Sequence, residues 1–292
     1  MQRAISDIEL FKGASPENTK WFALADSAQD KRLPGVISTS SRNVRCLFGG
    51  LQGSPLTLHT PHLIELPPPA HLDYVWEWIS RNALLVPCFS IIATRKTFDD
   101  LYKQFVECTQ VVLPDLDTMF FAFWDSAVLG TLVGQVDDRT LHIPGPVLSQ
   151  DQQTLLTDGI EKWWYWDRAG DRHAIAIQSQ GEIAACRQFK LDQSQIDSLV
   201  EASVPDHVLY YMNLNQYHLL EDIPCSDRYD MIRKALVQAR DIGLATMRDL
   251  VDFVSIKLYY RERMDHDARI ANLLCKIRDG QVSFRDAISE LP

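Results

Sequence analysis

Hydrophobic residues recur along the first half of this chain in short runs that alternate with amphipathic segments. Trp21 to Ala25 and Cys88 to Ala93 have the length and composition of short strands. Leu72 to Ile79 and Phe98 to Phe105 place apolar residues at helical spacing, and Thr97 is a suitable N-cap for the second of these helices. This alternation predicts an α/β lobe with short strands, without specifying the order of the strands in the sheet.

The segment from Asp117 to Leu129 stands at the centre of this lobe. Its run of large apolar residues, Met119 to Trp124, predicts a fully buried strand that ends at Asp125. A new apolar pattern begins at Val128, so we expect a helix there, with Asp125 as its N-terminal cap.

A hairpin is predicted further along the chain. Two strand-like runs, Gly159–Asp167 and Arg172–Gln178, flank a turn in which Gly170 can adopt a positive φ. Three tryptophans lie close together on the first run, and we expect them on a half-buried sheet face; a protein-binding patch and a platform for stacking bases or sugars are the alternatives. They are Trp163, Trp164 and Trp166.

The pattern becomes helical from Ser194 onward. Apolar residues at steps of three or four predict a helix over Tyr229 to Ile242, which Gly243 can end, and Thr246 can cap the next one. The resulting fold class is a mixed α/β N-terminal lobe with short strands, followed by a hairpin and an all-helical C-terminal lobe. The corresponding ranges are 1–147 for the α/β lobe, 148–191 for a hairpin-containing connector and 192–292 for the helical lobe.

Composition excludes some functions. The net charge is −10, from 29 basic and 39 acidic residues, which argues against nucleic acid and against an anionic membrane surface as partners. The six cysteines are far apart and form no Cys-x-x-Cys pair, so free buried thiols in a reducing compartment are expected. The N-terminus lacks the apolar core of a signal peptide, and no apolar run reaches the length of a membrane span. A cytoplasmic location is therefore expected.

The candidate catalytic and ligand-binding motifs are weak. The glycine-rich Gly49–Gly53 lacks the Gly-Lys-Ser/Thr ending of a P-loop and predicts a tight turn, and no Gly-x-Ser-x-Gly elbow exists. His59 and His62 flank a proline and predict a polar loop rather than a metal site. We assign no catalytic residue, no metal ligand and no cofactor. Three carboxylates at strand ends could do acid–base work, although aspartates there commonly cap helices: Asp26, Asp30 and Asp125.

Several short motifs occur in an order that resembles one bacterial family. They are Ala-Leu-Ala-Asp26-Ser-Ala-Gln-Asp30, Cys46-Leu-Phe-Gly-Gly50, Pro61-His-Leu-Ile-Glu-Leu66, Phe121-Ala-Phe-Trp-Asp-Ser-Ala-Val-Leu129 and Gly145-Pro-Val147. The family is "domain of unknown function 4123", the effector adaptors or chaperones of type VI secretion. The resemblance covers about residues 20–147, and the helical segments Ile232–Gly243 and Thr246–Val254 resemble the region after this domain in such proteins.

The chain departs from the family pattern around its central segment. Where the family often has Arg-Phe-Tyr-Asp-Pro-Arg-Val-Leu, this chain has Ala122 in place of the first arginine, Trp124 in place of tyrosine, and Ser126 and Ala127 in place of Pro-Arg. Two positive charges are thereby lost from the expected cleft.

The resemblance implies a non-enzymatic adaptor that binds a toxic effector in the cytoplasm, keeps it soluble and loads it onto the spike protein of the secretion apparatus. It implies a groove whose apolar members bury partner side chains and whose acidic members orient loops or pair with basic partner residues. The residues expected there are Asp26, Asp30, Leu47, Phe48, Phe121, Phe123, Trp124 and Asp125. Two alternatives stay open: a hydrolase-type enzyme with an acidic site at the three aspartates, and an immunity protein that blocks a toxin.

Overall fold

The computed structural model describes residues 11, 18–30, 32–39, 43–49, 59–69, 74–82, 87–177 and 189–291. The chain divides into two compact units, residues 1–199 and residues 200–292. Among the described residues, no helix combines the length and the apolar composition that crossing a membrane requires.

The first unit contains nine strands and five complete helices within its described part. In chain order they are β1 (Lys20–Asp26), α1 (Leu33–Thr39), β2 (Val44–Cys46), β3 (Pro61–Leu66), α2 (Tyr74–Asn82), β4 (Phe89–Thr94), α3 (Phe98–Cys108), β5 (Gln110–Val112), β6 (Thr118–Phe120), α4 (Ser126–Val133), α5 (Gln150–Thr157), β7 (Ile160–Trp166), β8 (Arg172–Ala174) and β9 (Phe189–Lys190). Six strands form one sheet in the order β2-β3-β1-β4-β7-β8, and three form a second in the order β6-β5-β9.

The large sheet is antiparallel throughout and has apolar side chains on both faces. Successive residues of a strand point to opposite faces. On β1, accordingly, Phe22 and Leu24 pack with helices α3 to α5, whereas Trp21 and Ala23 pack with α1 and α2. The sheet is therefore a central layer between two groups of helices, which explains why its strands consist of nearly continuous apolar residues.

The predicted hairpin is confirmed as β7 and β8, with Trp166 opposite Arg172. The hairpin is part of the large sheet, because β7 also pairs with β4. The expectation of a half-buried face for the tryptophans is wrong. Trp163 is buried on one face of the sheet, and Trp164 and Trp166 are buried on the other.

The prediction of a fully buried strand over Met119–Trp124 is wrong. Strand β6 ends at Phe120, and all three of its residues are exposed. Only the following residues, Phe121, Phe123 and Trp124, are buried, and they lie in the connection to α4 rather than in a strand. A run of large apolar residues indicates burial only if another layer covers it, and here the run crosses from a sheet edge into the core.

The second unit is helical, as predicted. Helix α6 (Gln193–Asn215) runs across the boundary of the units, and a 3₁₀ turn (Tyr217–Leu219) comes after it. The other helices are α7 (Cys225–Asp241), α8 (Met247–Tyr260), α9 (Glu262–His266), α10 (Ala268–Arg278) and α11 (Phe284–Ile288). Their apolar faces form one core that includes Val208, Ile232, Leu236, Phe253 and Ile270.

The cysteines are partly as expected. Cys46, Cys88 and Cys108 are free and buried, whereas Cys225 and Cys275 are free but exposed, so burial was wrongly predicted for those two. Cys186 and residues 50–53 of the predicted glycine-rich turn lie outside the described residues.

Substitution of Thr97, the N-cap of helix α3, measures how much one predicted cap contributes to stability. The Thr97 hydroxyl accepts the N–H of Asp100 at 3.2 Å, as the sequence predicted. Thr97→Ala is expected to lower the free energy of unfolding by about 1 kcal/mol, because this amide then loses its protein acceptor. Thr97→Ser keeps the hydroxyl and should retain most of the stability in urea unfolding. Equal losses in the two variants would contradict a capping role.

Candidate partner-binding face

The loop after β1 is shaped by two buried aspartates. Asp26 accepts the N–H of Ala28 at 3.0 Å, and Asp30 accepts the N–H of Arg32 at 2.9 Å. The Arg32 guanidinium also lies 2.6 Å from the Asp30 carboxylate. Aspartate side chains commonly stabilise such turns by binding the N–H two residues ahead. Both carboxylates therefore act first as structural groups of the loop Asp26–Asp30.

The pKa values of Asp26 and Asp30 are shifted in opposite directions by their surroundings. Burial raises the pKa of Asp26, and the N–H of Ala28 only partly opposes this effect. The hydrogen bonds from the Arg32 side chain lower the pKa of Asp30. Beside them, burial raises the pKa of the Cys88 thiol to about 12, so this cysteine stays protonated and is not a nucleophile at neutral pH.

Ser27 and His62 form a pair that the sequence analysis did not identify. The Ser27 hydroxyl lies 3.2 Å from His62 Nδ1, and both side chains are buried. His62 lies in β3 rather than in a polar loop, as the strand-like run His62–Leu66 indicates, and burial lowers its pKa. The hydrogen bond between Ser27 and His62 holds the loop Asp26–Asp30 against strand β3.

Asp125 joins this loop to the next element. Its carboxylate accepts the N–H of Ala127 at 2.8 Å, which confirms the predicted cap of α4. Its second oxygen accepts a hydrogen bond from the Gln29 side chain at 3.4 Å. The two acidic segments, which are far apart in sequence, are therefore neighbours in the folded unit.

Three aromatic rings form a patch beside Asp125, and we call Phe48, Phe120 and Trp124 the aromatic patch. The ring of Phe48 lies 4.6 Å from that of Phe120 and 5.2 Å from that of Trp124, measured between centroids. Phe48 is 39% exposed and Phe120 is 60% exposed, whereas Trp124 is 6% exposed and forms the floor. Exposed aromatic side chains that contact one another favour a protein partner, because their burial stabilises a complex at little conformational cost.

The structure divides the residues predicted for partner binding into two groups. Leu47, Phe121 and Phe123 lie in the core, where Phe123 packs against Trp124 and supports the patch from beneath. Phe48 presents its ring at the surface. Phe120 was not among the predicted binding residues, because the apolar run placed it in a buried strand. Its position next to a turn with two aspartates, Asp115 and Asp117, was the signal for an exposed hairpin.

A second group of polar residues is buried at the β7–β8 edge of the large sheet. Donor and acceptor atoms of Asp138, Asp167 and His173 lie within 4.8 Å of one another, as in many metal sites. Asp138 accepts the Tyr165 hydroxyl at 2.9 Å, and His173 Nε2 lies 2.9 Å from Asp167.

Backbone N–H groups donate hydrogen bonds to the other carboxylate oxygens of Asp138 and Asp167. Asp167 accepts the N–H groups of Ala169 and Asp171, and Asp138 accepts the N–H of Thr140. Because each carboxylate already has protein donors at both oxygens, the arrangement serves as a polar network that fixes the hairpin turn. We call Asp138, Asp167, His173 and Tyr165 the hairpin network.

Comparison with known proteins gives one match. Residues 21–142 match a protein family described as "Domain of unknown function (DUF4123)". The match includes the loop Asp26–Asp30, the aromatic patch and Asp125, and it ends before the β7–β8 hairpin and the helical unit. No curated protein and no solved structure matches the chain.

Proposed function

We propose that this protein is a non-enzymatic adaptor of type VI secretion. It binds a toxic effector in the cytoplasm, keeps it soluble and loads it onto the spike protein of the secretion apparatus. The family match over residues 21–142 supports the proposal, together with the motif order that resembles such adaptors. The aromatic patch is the observation that supports a partner-binding role within that match.

The patch suits an adaptor for a physical reason. An effector must be held firmly before export and released later, so a small apolar contact with a polar surround is more suitable than a large permanent interface. Phe48 and Phe120 supply the apolar area, and Trp124 makes their floor rigid. The buried aspartates of the loop Asp26–Asp30 and the cap Asp125 keep the surrounding backbone in place.

The direct test is co-purification of the chain with the product of a neighbouring effector gene. We expect the effector to be soluble in the presence of the chain, to aggregate without it, and to be exported only when the chain is present. An effector that is equally soluble and equally exported without the chain would overturn the proposal. A cell that survives the active toxin only because it makes this chain would favour the immunity alternative instead.

A single substitution tests the patch itself. Phe120→Ser is expected to weaken effector binding by at least about tenfold, since an apolar anchor at the centre of an interface contributes about 2 kcal/mol or more in typical cases. The change should leave thermal stability nearly unchanged, because Phe120 is 60% exposed. Val136→Ser is the matched control, because Val136 is 90% exposed in the same unit but outside the patch. Calorimetry with purified effector measures both variants, and equal affinities would exclude the patch as the binding site.

A further inference from the structure

Strand β6 presents an unpaired backbone edge beside the aromatic patch. In the three-stranded sheet it pairs with β5 on one side and, among the described residues, with no strand on the other. An edge of this kind can accept an additional strand, and β-strand addition is a common way of binding an extended peptide.

The register shows which backbone groups point outward. Leu113 donates to Asp117 at 2.8 Å, and Phe121 donates to Thr109 at 2.9 Å. In an antiparallel ladder, hydrogen-bonded pairs recur at every second residue. Met119, opposite Val111, therefore directs its N–H and C=O to β5. Thr118 and Phe120 direct theirs to the open edge.

The side chains beside this edge indicate what the added strand contains. The ring of Phe120 contacts Phe48 at 4.6 Å, so an apolar residue of an added strand that lies next to Phe120 would also meet the aromatic patch. Along the chain, β6 lies within a stretch that has no positive charge: from Gln104 through Asp138 the sequence has six acidic residues and no lysine or arginine. Two of the six, Asp115 and Asp117, are exposed in the turn that leads into β6.

We propose that β6 is the docking edge for an extended segment of the partner protein, in which apolar residues alternate with lysine or arginine. The segment adds as a fourth strand next to β6 and exchanges backbone hydrogen bonds with Thr118 and Phe120. One apolar residue packs on the aromatic patch, and the basic residues face Asp115 and Asp117. This inference rests on the proposed adaptor function and specifies the partner's binding segment. A second copy of the chain fits less well, because two copies would bring like charges together.

Amide hydrogen exchange on the unaltered full chain tests the docking edge. The probes are ten-residue peptides that tile the co-purifying effector, and one synthetic peptide in which lysine and valine alternate. We expect the amides of Thr118 and Phe120 to exchange at least about tenfold more slowly when a basic, alternating peptide binds, because they become hydrogen-bonded. The amide of Met119 is the internal control and should change much less, since it already bonds to β5.

A proline variant gives an independent test. Thr118→Pro removes one outward N–H, keeps the aromatic patch and is tolerated at an edge strand. It is expected to weaken peptide and effector binding about tenfold, whereas Thr118→Val, which keeps the N–H, should bind as the native chain does. Circular dichroism reports whether the proline variant is folded, and the exchange experiment decides the question if it is not.

The outcomes separate the two proposals. If the effector co-purifies but no peptide protects Thr118 and Phe120, the docking edge is wrong and the adaptor function stands. If the effector does not co-purify but the lysine–valine peptide protects both amides, the docking edge stands and the adaptor function is wrong. Protection that increases with the concentration of the chain alone would mean that a second copy occupies the edge, and would overturn the inference.

Discussion

Replacing Asp167 by alanine is expected to lower the free energy of unfolding by about 3–5 kcal/mol, as is typical when one partner of a buried ion pair is removed. The Asp167 carboxylate is 4% exposed and lies 2.9 Å from His173 Nε2, whose ring is 5% exposed. It also accepts the N–H groups of Ala169 and Asp171 in the hairpin turn. The variant therefore leaves a buried imidazole and two amides without their acceptor. Urea unfolding measures the loss.

The loss is expected to depend on pH. Burial by itself lowers the pKa of His173, but the nearby carboxylates of Asp167 and Asp137 outweigh this effect, and the pKa of His173 is raised. A raised pKa in the folded state means that folding favours the charged imidazole. This stabilisation is fully present below the ordinary histidine pKa of about 6.5 and is lost as the pH rises through the higher value of the folded protein.

The difference between the native chain and Asp167→Ala should therefore be larger at about pH 6 than at about pH 9. Asp137→Ala is the matched comparison, because Asp137 contacts the other nitrogen of His173 at 3.2 Å but is 65% exposed. It should cost no more than about 1 kcal/mol, since solvent screens an exposed pair. A difference that is the same at both pH values would show that His173 is neutral in the folded protein.

Replacing Trp163 by alanine is expected to cost about 3–5 kcal/mol, because it removes a large ring from the centre of the core. Trp163 is fully buried and packs on Phe105 with 5.6 Å between ring centroids, while its strand partner is Ile92. The neighbouring side chains come from a helix and from the sheet, so they cannot close the cavity without moving the layers. Thermal and urea unfolding of the purified variant measure the effect.

Trp163→Phe distinguishes the contribution of the aromatic ring to stability from that of the indole N–H. Among the described residues, the buried indole N–H of Trp163 has no hydrogen-bond acceptor. Phenylalanine keeps an aromatic ring and removes this unpaired donor, so the loss should stay below about 1.5 kcal/mol. A loss as large as that of the alanine variant would mean that the N–H is hydrogen-bonded in solution. Because Trp163 is fully buried, it cannot serve as the stacking platform that was one alternative for this cluster.

The variants at Asp167 and Trp163 also serve as controls for the binding experiments. Neither Asp167 nor Trp163 belongs to the aromatic patch or to β6. A variant such as Trp163→Phe, which we expect to remain folded, should bind the proposed effector like the native chain. Weaker binding by Phe120→Ser at unchanged stability can then be attributed to the surface and not to general unfolding.

Helix caps, tight turns and amphipathic helices depend on residues that are near one another in the chain. The sequence therefore predicts them. Thr97 and Asp125 cap helices as predicted, since a short polar side chain before an apolar helical pattern binds the free N–H groups of the first turn. Gly170 has a positive φ in the predicted hairpin turn. The helical periodicity over Tyr229–Ile242 and the cap at Thr246 correspond to helices α7 and α8, because each of these helices carries a continuous apolar face.

Tertiary structure alone decided which apolar runs are buried and which polar groups meet. Met119 and Trp164 both lie in runs of large apolar residues, yet β6 forms an exposed edge while β7 lies between two layers of helices. Burial depends on what packs against a strand, and this is not encoded in the strand itself. The pairs Ser27–His62 and Asp125–Gln29 join distant parts of the chain, so only the order of the strands could reveal them. The sequence by itself determined helices α3, α4, α7 and α8, the caps Thr97, Asp125 and Thr246, and the two kinds of lobe; the fold determined the position of the aromatic patch and of the open edge beside it.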